Sequence, residues 1–120
     1  MARILIVDDE PFNREVVGVI CMSAGYAVAY AEHGQAALET LAEEAFDLVL
    51  LDYLMPVMDG LTLARRLRAD GRYAALPIIG MTARSAESDR QALLAAGMNR
   101  VLGKPFRRKT LLAVVEEVLA

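Results

Sequence analysis

Short apolar runs recur along this chain between longer stretches with helical spacing, and four of the runs stop on a polar residue. Ile4-Leu5-Ile6-Val7 runs into Asp8-Asp9-Glu10, and Leu48-Val49-Leu50-Leu51 stops at Asp52. Pro77-Ile78-Ile79-Gly80-Met81 ends at Thr82, and Val101-Leu102-Gly103 delivers Lys104 just ahead of Pro105. A continuous apolar run of this length fits a strand buried on both faces. Strands that alternate with helices build βαβ units, whose strands run parallel. All four polar ends then fall along one edge of one sheet, where open α/β sheets form their ligand sites.

The helical stretches support this reading. Pro11 suits a first helical turn. Phe12, Val16, Val19/Ile20 and Ser23 follow the spacing of one helix face, which Gly25 stops. Residues 26–31 form a weaker second strand, and Ala37/Leu38, Leu41/Ala42 and Ala45 mark the inner face of a helix after Gly34. A third strand is expected over residues 47–52. The loop 53–60 carries Pro56 and an Asp59-Gly60 turn signal. The third helix is expected over about 61–69 and the fourth strand over 77–82. The fourth helix follows over about 85–96, with Gly97 as its cap. A fifth strand over 100–103 leads to a helix from near Phe106, with Leu111, Val115 and Val118 on one face. The predicted architecture is α/β: a five-stranded parallel sheet covered on both faces by five helices, a three-layer sandwich in one domain, 1–120.

Bulk properties exclude several classes. Apolar residues make up 56% of 120, too many for a disordered chain. A net charge of −3 with both signs interspersed argues against non-specific nucleic-acid or anionic-membrane binding. No run approaches the ~20 residues of a membrane span, and the stretch before Asp8 is too short for a signal peptide. Cys21 is the single cysteine, which precludes an internal disulfide and suits a reducing compartment. It reads as a buried small hydrophobe, and a cytoplasmic location is expected. Only two of the 13 cationic residues are lysines, Lys104 and Lys109, which makes a strand-end lysine notable.

Three consecutive acids would repel a phosphate on their own. They fit a hard divalent cation such as Mg²⁺, which prefers carboxylate, carbonyl and water oxygens. Asp52 can share that ion, Thr82 offers a hydroxyl and Lys104 a point charge. An acid pair, a lone Asp, a hydroxyl and a Lys suit phosphoryl transfer, where catalysis is mostly positioning and charge neutralisation. An Asp carboxylate can itself accept the phosphoryl group.

The matching stretches Ile4-Leu5-Ile6-Val7-Asp8-Asp9-Glu10, Leu51-Asp52, Met55-Pro56-Val57-Met58-Asp59-Gly60, Met81-Thr82-Ala83 and Lys104-Pro105-Phe106 resemble the receiver domain of bacterial two-component response regulators, over essentially the whole length. The resemblance implies a flavodoxin-like fold with strand order 2-1-3-4-5. It implies that Asp52 accepts phosphate from a histidine kinase or a histidine phosphotransfer protein. Asp9 is then a direct Mg²⁺ ligand with Asp52 and the backbone carbonyl of Leu54, and Asp8 acts through water. Thr82 turns toward the phosphoryl group, and Lys104 bridges to it. Ala83 and Tyr53 supply backbone N–H groups. The Lys104–Pro105 bond is often cis in such domains. Output is expected through the helix 4–strand 5–helix 5 face, also a possible homodimer surface, and the kinase-side partner docks near helix 1 and the strand 5–helix 5 loop. No external substrate is turned over.

Three positions tune this pattern. Val101 stands where the family usually has a rotating Tyr or Phe, and a β-branched side chain has few rotamers. Leu54 cannot orient an attacking water. Arg84 either pairs with the phosphoryl group or obstructs that water, so slow hydrolysis of the aspartyl phosphate is expected. Met98-Asn99, with the 56–60 stretch, is similar to receivers of hybrid kinases and phosphorelays.

Other readings fare worse. A Mg²⁺-dependent phosphatase of the haloacid-dehalogenase type needs a second Asp two residues after the nucleophile, where this chain has Leu54. A flavin-phosphate binder needs Ser, Thr or Gly after strand 1, where three acids stand. A receiver acting as a binding module without phosphorylation is opposed by the complete acceptor set, although Val101 leaves it room. His33 reads as a loop histidine, and Arg107-Arg108-Lys109 as a solvated or partner-facing patch.

Overall fold

The computed structural model describes residues 1–84 and 86–120. Five strands alternate with five helices. These are β1 (Arg3–Val7), α1 (Pro11–Ser23), β2 (Ala27–Ala31), α2 (Gly34–Glu43), β3 (Leu48–Asp52), α3 (Gly60–Ala69), β4 (Ile78–Thr82), α4 (Glu87–Ala95), β5 (Arg100–Gly103) and α5 (Arg108–Leu119). A 3-10 turn, Gly71–Tyr73, follows α3. The strands form one parallel sheet in the order β2-β1-β3-β4-β5.

The central strands show why the apolar runs are continuous. Ile4, Leu5, Ile6 and Val7 of β1 and Leu48, Val49, Leu50 and Leu51 of β3 are all fully buried. Alternate residues feed two cores. Leu5, Val7, Val49 and Leu51 pack with Leu41, Leu63, Leu67 and Leu93 under α2, α3 and α4. Ile4, Ile6, Leu48 and Leu50 pack with Val17, Cys21, Leu111 and Val115 under α1 and α5. Each fully buried Leu or Ile contributes roughly 1.5–3 kcal/mol, so this double layer dominates the stability.

Local chemistry sets the helix boundaries. The Glu10 carboxylate accepts from the Phe12 N–H to start α1, and Pro11 occupies the first turn, where no N–H is needed. His33 caps α2 by accepting the Ala36 N–H on Nδ1, and Asp59 caps α3 by accepting the Thr62 N–H. Gly97, at φ 113°, closes α4 in the left-handed conformation open to glycine.

One expected boundary moves. Helix α5 begins at Arg108, two residues later than Phe106, because Phe106 is used to pack against the core under α1 and α5. The stripe Phe12, Val16, Val19 is the outward face of α1: these residues are 71%, 41% and 60% exposed. The helix buries Val17, Gly18 and Cys21 instead. This chain has apolar residues on two faces of α1, and the sheet has room for one. Helix α4 is assigned from Glu87, and Ser85, the expected start, lies outside the described residues. Cys21 is buried as expected, and burial pushes its thiol up to about 11.

Candidate functional site

Strand register brings the polar ends together. Val7 pairs with Leu51, so the next residues, Asp8 and Asp52, emerge side by side from the middle of the sheet. Asp52 pairs with Met81, and Thr82 with Gly103. The Lys104 N–H donates to the Thr82 carbonyl at 2.7 Å, extending the ladder by one bond and presenting the lysine beside β4. The Lys104–Pro105 bond is cis.

Lys104 Nζ lies 2.6 Å from Asp52 Oδ1 and 3.7 Å from Asp8 Oδ2. The chain thereby joins residues 52 positions apart, a contact no local pattern contains. Carboxylate oxygens of Asp8, Asp9 and Asp52 all lie within 4.8 Å of one another. Asp8 and Asp52 are buried and Asp9 is exposed.

This grouping is electrostatically uncomfortable. Burial pushes the Asp52 carboxyl above its ordinary value; the Lys104 hydrogen bond opposes the shift, and the nearby Asp8 and Asp9 charges add to it. The Asp8 Oδ1 atom accepts the Glu10 N–H, but Oδ2 is buried with no hydrogen bond among the described residues. A buried carboxylate oxygen without a donor is costly. One ammonium therefore serves two buried acids with Asp9 beside them, and the unmet acceptor capacity fits a hard divalent cation at this point.

The loops around the acids are held tightly. The Gly60 N–H donates to the Tyr53 carbonyl at 2.7 Å, and a Cβ at Gly60 would stand 2.4 Å from the Asp52 carbonyl oxygen. Only glycine fits there without moving the chain at Asp52. Thr82 is buried, and its Oγ1 accepts the Arg84 N–H at 2.9 Å. The Arg84 guanidinium reaches Asp89 on α4 at 3.3 Å. Ala83 is exposed beside Asp8 and Lys104, and the Leu54 side chain is 52% exposed just past β3. Val101 is half-buried against the α2–α3–α4 core.

One expected role meets a competing bond. The Tyr53 N–H, expected to face a phosphoryl group, donates to the Met81 carbonyl at 2.9 Å, continuing the β3–β4 ladder one residue past Asp52. It is not free in this conformation. His33 lies outside the acid cluster and serves as a helix cap.

Two features escaped the sequence reading. The first is the outward stripe of α1, beside a groove of about 390 Å³ lined by Phe12, Val16, Ile20, Pro105 and Phe106 and reaching Asp8 and Lys104. Its signal was present in the Phe12–Val16–Val19 spacing, but spacing does not say which face the sheet takes. The second is Arg14, whose Nη1 donates to the Asp8 carbonyl at 2.8 Å. Its only sequence signal is a cation in the first turn of a helix, where the macrodipole disfavours positive charge.

Known proteins with this arrangement agree. The family model described as "Response regulator receiver domain" matches residues 4–116. The chain is 42% identical over 117 residues to the response regulator MprA of Mycolicibacterium vanbaalenii, covering 98% of this chain and 50% of that protein. It is 38% identical to the sensor protein GacS of Pseudomonas syringae, covering 94% of this chain and 13% of that one. The chain thus spans half or less of these relatives' length. Among solved structures, the Vibrio cholerae chemotaxis protein CheY4 superposes with a TM-score of 0.94 at 34% identity, covering 99% of both chains. The receiver domain of the sensor histidine kinase PA1611 from Pseudomonas aeruginosa, solved with a magnesium ion coordinated in its active-site cleft, gives 0.90 at 35% identity, covering 98% and 97%. With the strand order, the acid cluster and these matches in agreement, the chain belongs to the receiver domains of two-component response regulators.

Proposed function

We propose that Asp52 is the phosphoacceptor of a two-component or phosphorelay system, charged by a histidine kinase or a histidine phosphotransfer protein. The observation that carries this reading is the Lys104–Asp52 contact of 2.6 Å, with the carboxylates of Asp8 and Asp9 converging on the same point. An Asp52 oxygen attacks phosphorus, the P–N bond to the donor imidazole breaks, and the imidazole retains the proton. Asp9, Asp52 and the Leu54 carbonyl would hold Mg²⁺, with Asp8 reaching it through water. When bound, the ion neutralises charge on the transferring oxygens.

The remaining groups act on the product. Lys104 shifts from pairing with a carboxylate to pairing with a phosphoryl oxygen. Thr82 gives up the Arg84 N–H and turns its hydroxyl toward the new acceptor. The Ala83 N–H would donate to the same group, and the Tyr53 N–H must leave or share the Met81 carbonyl to join it. Phosphorylation adds charge and acceptors, so the β4–α4 loop is drawn inward and the α4–β5–α5 face shifts its population between two states. Val101 gives this chain no aromatic rotor, and the movement passes through the loop that carries Arg84.

The exposed α1 stripe and the groove beside Phe106 form the docking face for the phosphoryl donor, since they border the acids and are apolar, as helix-in-groove recognition requires. No helix is long and apolar enough to cross a membrane among the described residues. Acetyl phosphate with Mg²⁺ should label the protein stoichiometrically, and Asp52→Asn should abolish labelling. Persistent labelling of that variant would refute the assignment.

A further inference from the structure

We infer that Arg14 is a positioning residue for the metal site, acting as a clamp on the backbone that carries the two loop acids. The inference rests on the Mg²⁺-dependent receiver reading above and adds a residue to it.

The clamp is legible in the loop's own hydrogen bonds. The Asp8 N–H is anchored to the Ala31 carbonyl of β2 at 3.1 Å, the last sheet bond of that segment. The Asp8 carbonyl leaves the sheet, and the half-buried Arg14 guanidinium donates to it at 2.8 Å. That carbonyl belongs to the Asp8–Asp9 peptide, whose tilt sets the direction of Asp9. Glu10 is fixed on either side, by its N–H on Asp8 Oδ1 at 3.0 Å and by its carboxylate on the Phe12 N–H. The Asp9 carboxylate accepts no hydrogen bond among the described residues and is exposed. Arg14 therefore fixes the peptide plane between Asp8, held by its N–H and its Oδ1, and the exposed Asp9. Arg14 is in turn anchored in α1, its N–H donating to the Glu10 carbonyl at 3.0 Å, so the helix start and the acid pair move as one unit.

Two alternatives predict opposite signs. If Arg14 mattered only as a charge, removing it would leave the acid cluster more negative and bind a divalent cation more tightly. If it matters as a clamp, removing it releases the Asp8–Asp9 peptide, and the cation must then order that peptide on binding. The clamp predicts weaker binding despite the more negative site.

Isothermal titration of the metal-free protein with Mg²⁺ at fixed ionic strength separates them. Arg14→Met keeps the bulk and removes the donors and the charge, and should raise the Kd about tenfold, the lower end of what losing a ligand-orienting partner costs. Arg14→Lys, which keeps one donor and the charge, should recover most of that loss. The Mg²⁺ concentration for half-maximal labelling by acetyl phosphate should rise in parallel. Urea unfolding of the same variants reads the structural role: lower stability with an unmoved Kd overturns the inference, as does a Kd equal to or tighter than wild type. Should Arg14→Met not fold, Arg14→Gln, neutral and shorter in reach, carries the same test. Failures are distinguishable, because a wild-type chain that takes neither Mg²⁺ nor label defeats the receiver reading, whereas a binding wild type matched by Arg14→Met defeats the clamp alone.

Discussion

The two ends of the sheet handle charge in opposite ways. At the amino end, Arg68 of α3 donates to the Gly97 carbonyl at 2.9 Å, the Tyr73 carbonyl at 2.8 Å and Asn99 Oδ1 at 3.0 Å. Asn99 Oδ1 also accepts the Ile78 N–H, so one guanidinium ties α3, the start of β4 and the α4–β5 turn together. Its partners are neutral oxygens of three separate segments. At the carboxyl end, two buried acids share one lysine with a third acid beside them, and a buried oxygen has no hydrogen bond among the described residues. Val57, in the loop after Asp52, also sits at φ 70°, a conformation β-branched residues avoid. One end is satisfied and contributes stability. The other stores unmet electrostatics and strain, as functional sites do, and the site draws on both.

The contrast predicts which end stabilises and which end reacts. Arg68→Ala should lose three hydrogen bonds and cost about 2–4 kcal/mol in urea unfolding, while wild-type labelling kinetics persist under folding conditions. A stability loss below about 1 kcal/mol would break the comparison. At the other end, replacing an acid should help. Asp52→Asn should stabilise the metal-free protein by about 1 kcal/mol, since it removes a desolvated charge crowded by Asp8 and Asp9, although it abolishes function.

The pH dependence of that gain has a fixed sign. Asp52 binds its proton more tightly folded than unfolded, because burial raises its pKa. Below the ordinary carboxylate value the residue is neutral in both states and costs nothing. As pH rises through the raised folded value, the folded state must ionise a buried group, and stability falls. The Tm gap between Asp52→Asn and wild type, measured in EDTA, should therefore widen from pH 4 to pH 7. A constant gap would show that the effect is not ionisation.

Smaller effects sharpen the picture. Leu54→Asn with Arg84→Glu should speed decay of radiolabelled phosphoprotein several-fold, equivalent to about 1 kcal/mol in the barrier, since the pair then admits and orients water. An unchanged decay rate would remove both positions from the account. Val57→Gly should stabilise by about 0.5–1 kcal/mol, because glycine takes a positive φ without the Cβ penalty. No gain would mean that the strain is offset locally.

Much of this was legible in the sequence. The strand boundaries came within one residue, because buried parallel strands need continuous apolar runs and their ends need polar ones. The acid cluster, Thr82 and Lys104 followed from the same ends. Which face of α1 is buried was not legible, since its outer stripe has the same period as its inner one. The competing bond of the Tyr53 amide was not legible, because a ladder bond to Met81 depends on how far β3 and β4 stay paired. Arg14 carried almost no local signal.

By itself the sequence determined the order of elements, the side of the sheet where chemistry collects and the residue types available there, because these depend on period and punctuation along the chain. Packing in three dimensions settles that Lys104 reaches Asp52 across 52 positions, that a buried Asp8 oxygen lacks a hydrogen bond among the described residues, that Arg14 bonds the acid loop and that α1 turns an apolar face outward. Those outcomes follow from strand register and from how much of each helix the sheet can cover, and neither is a property of any local stretch of chain.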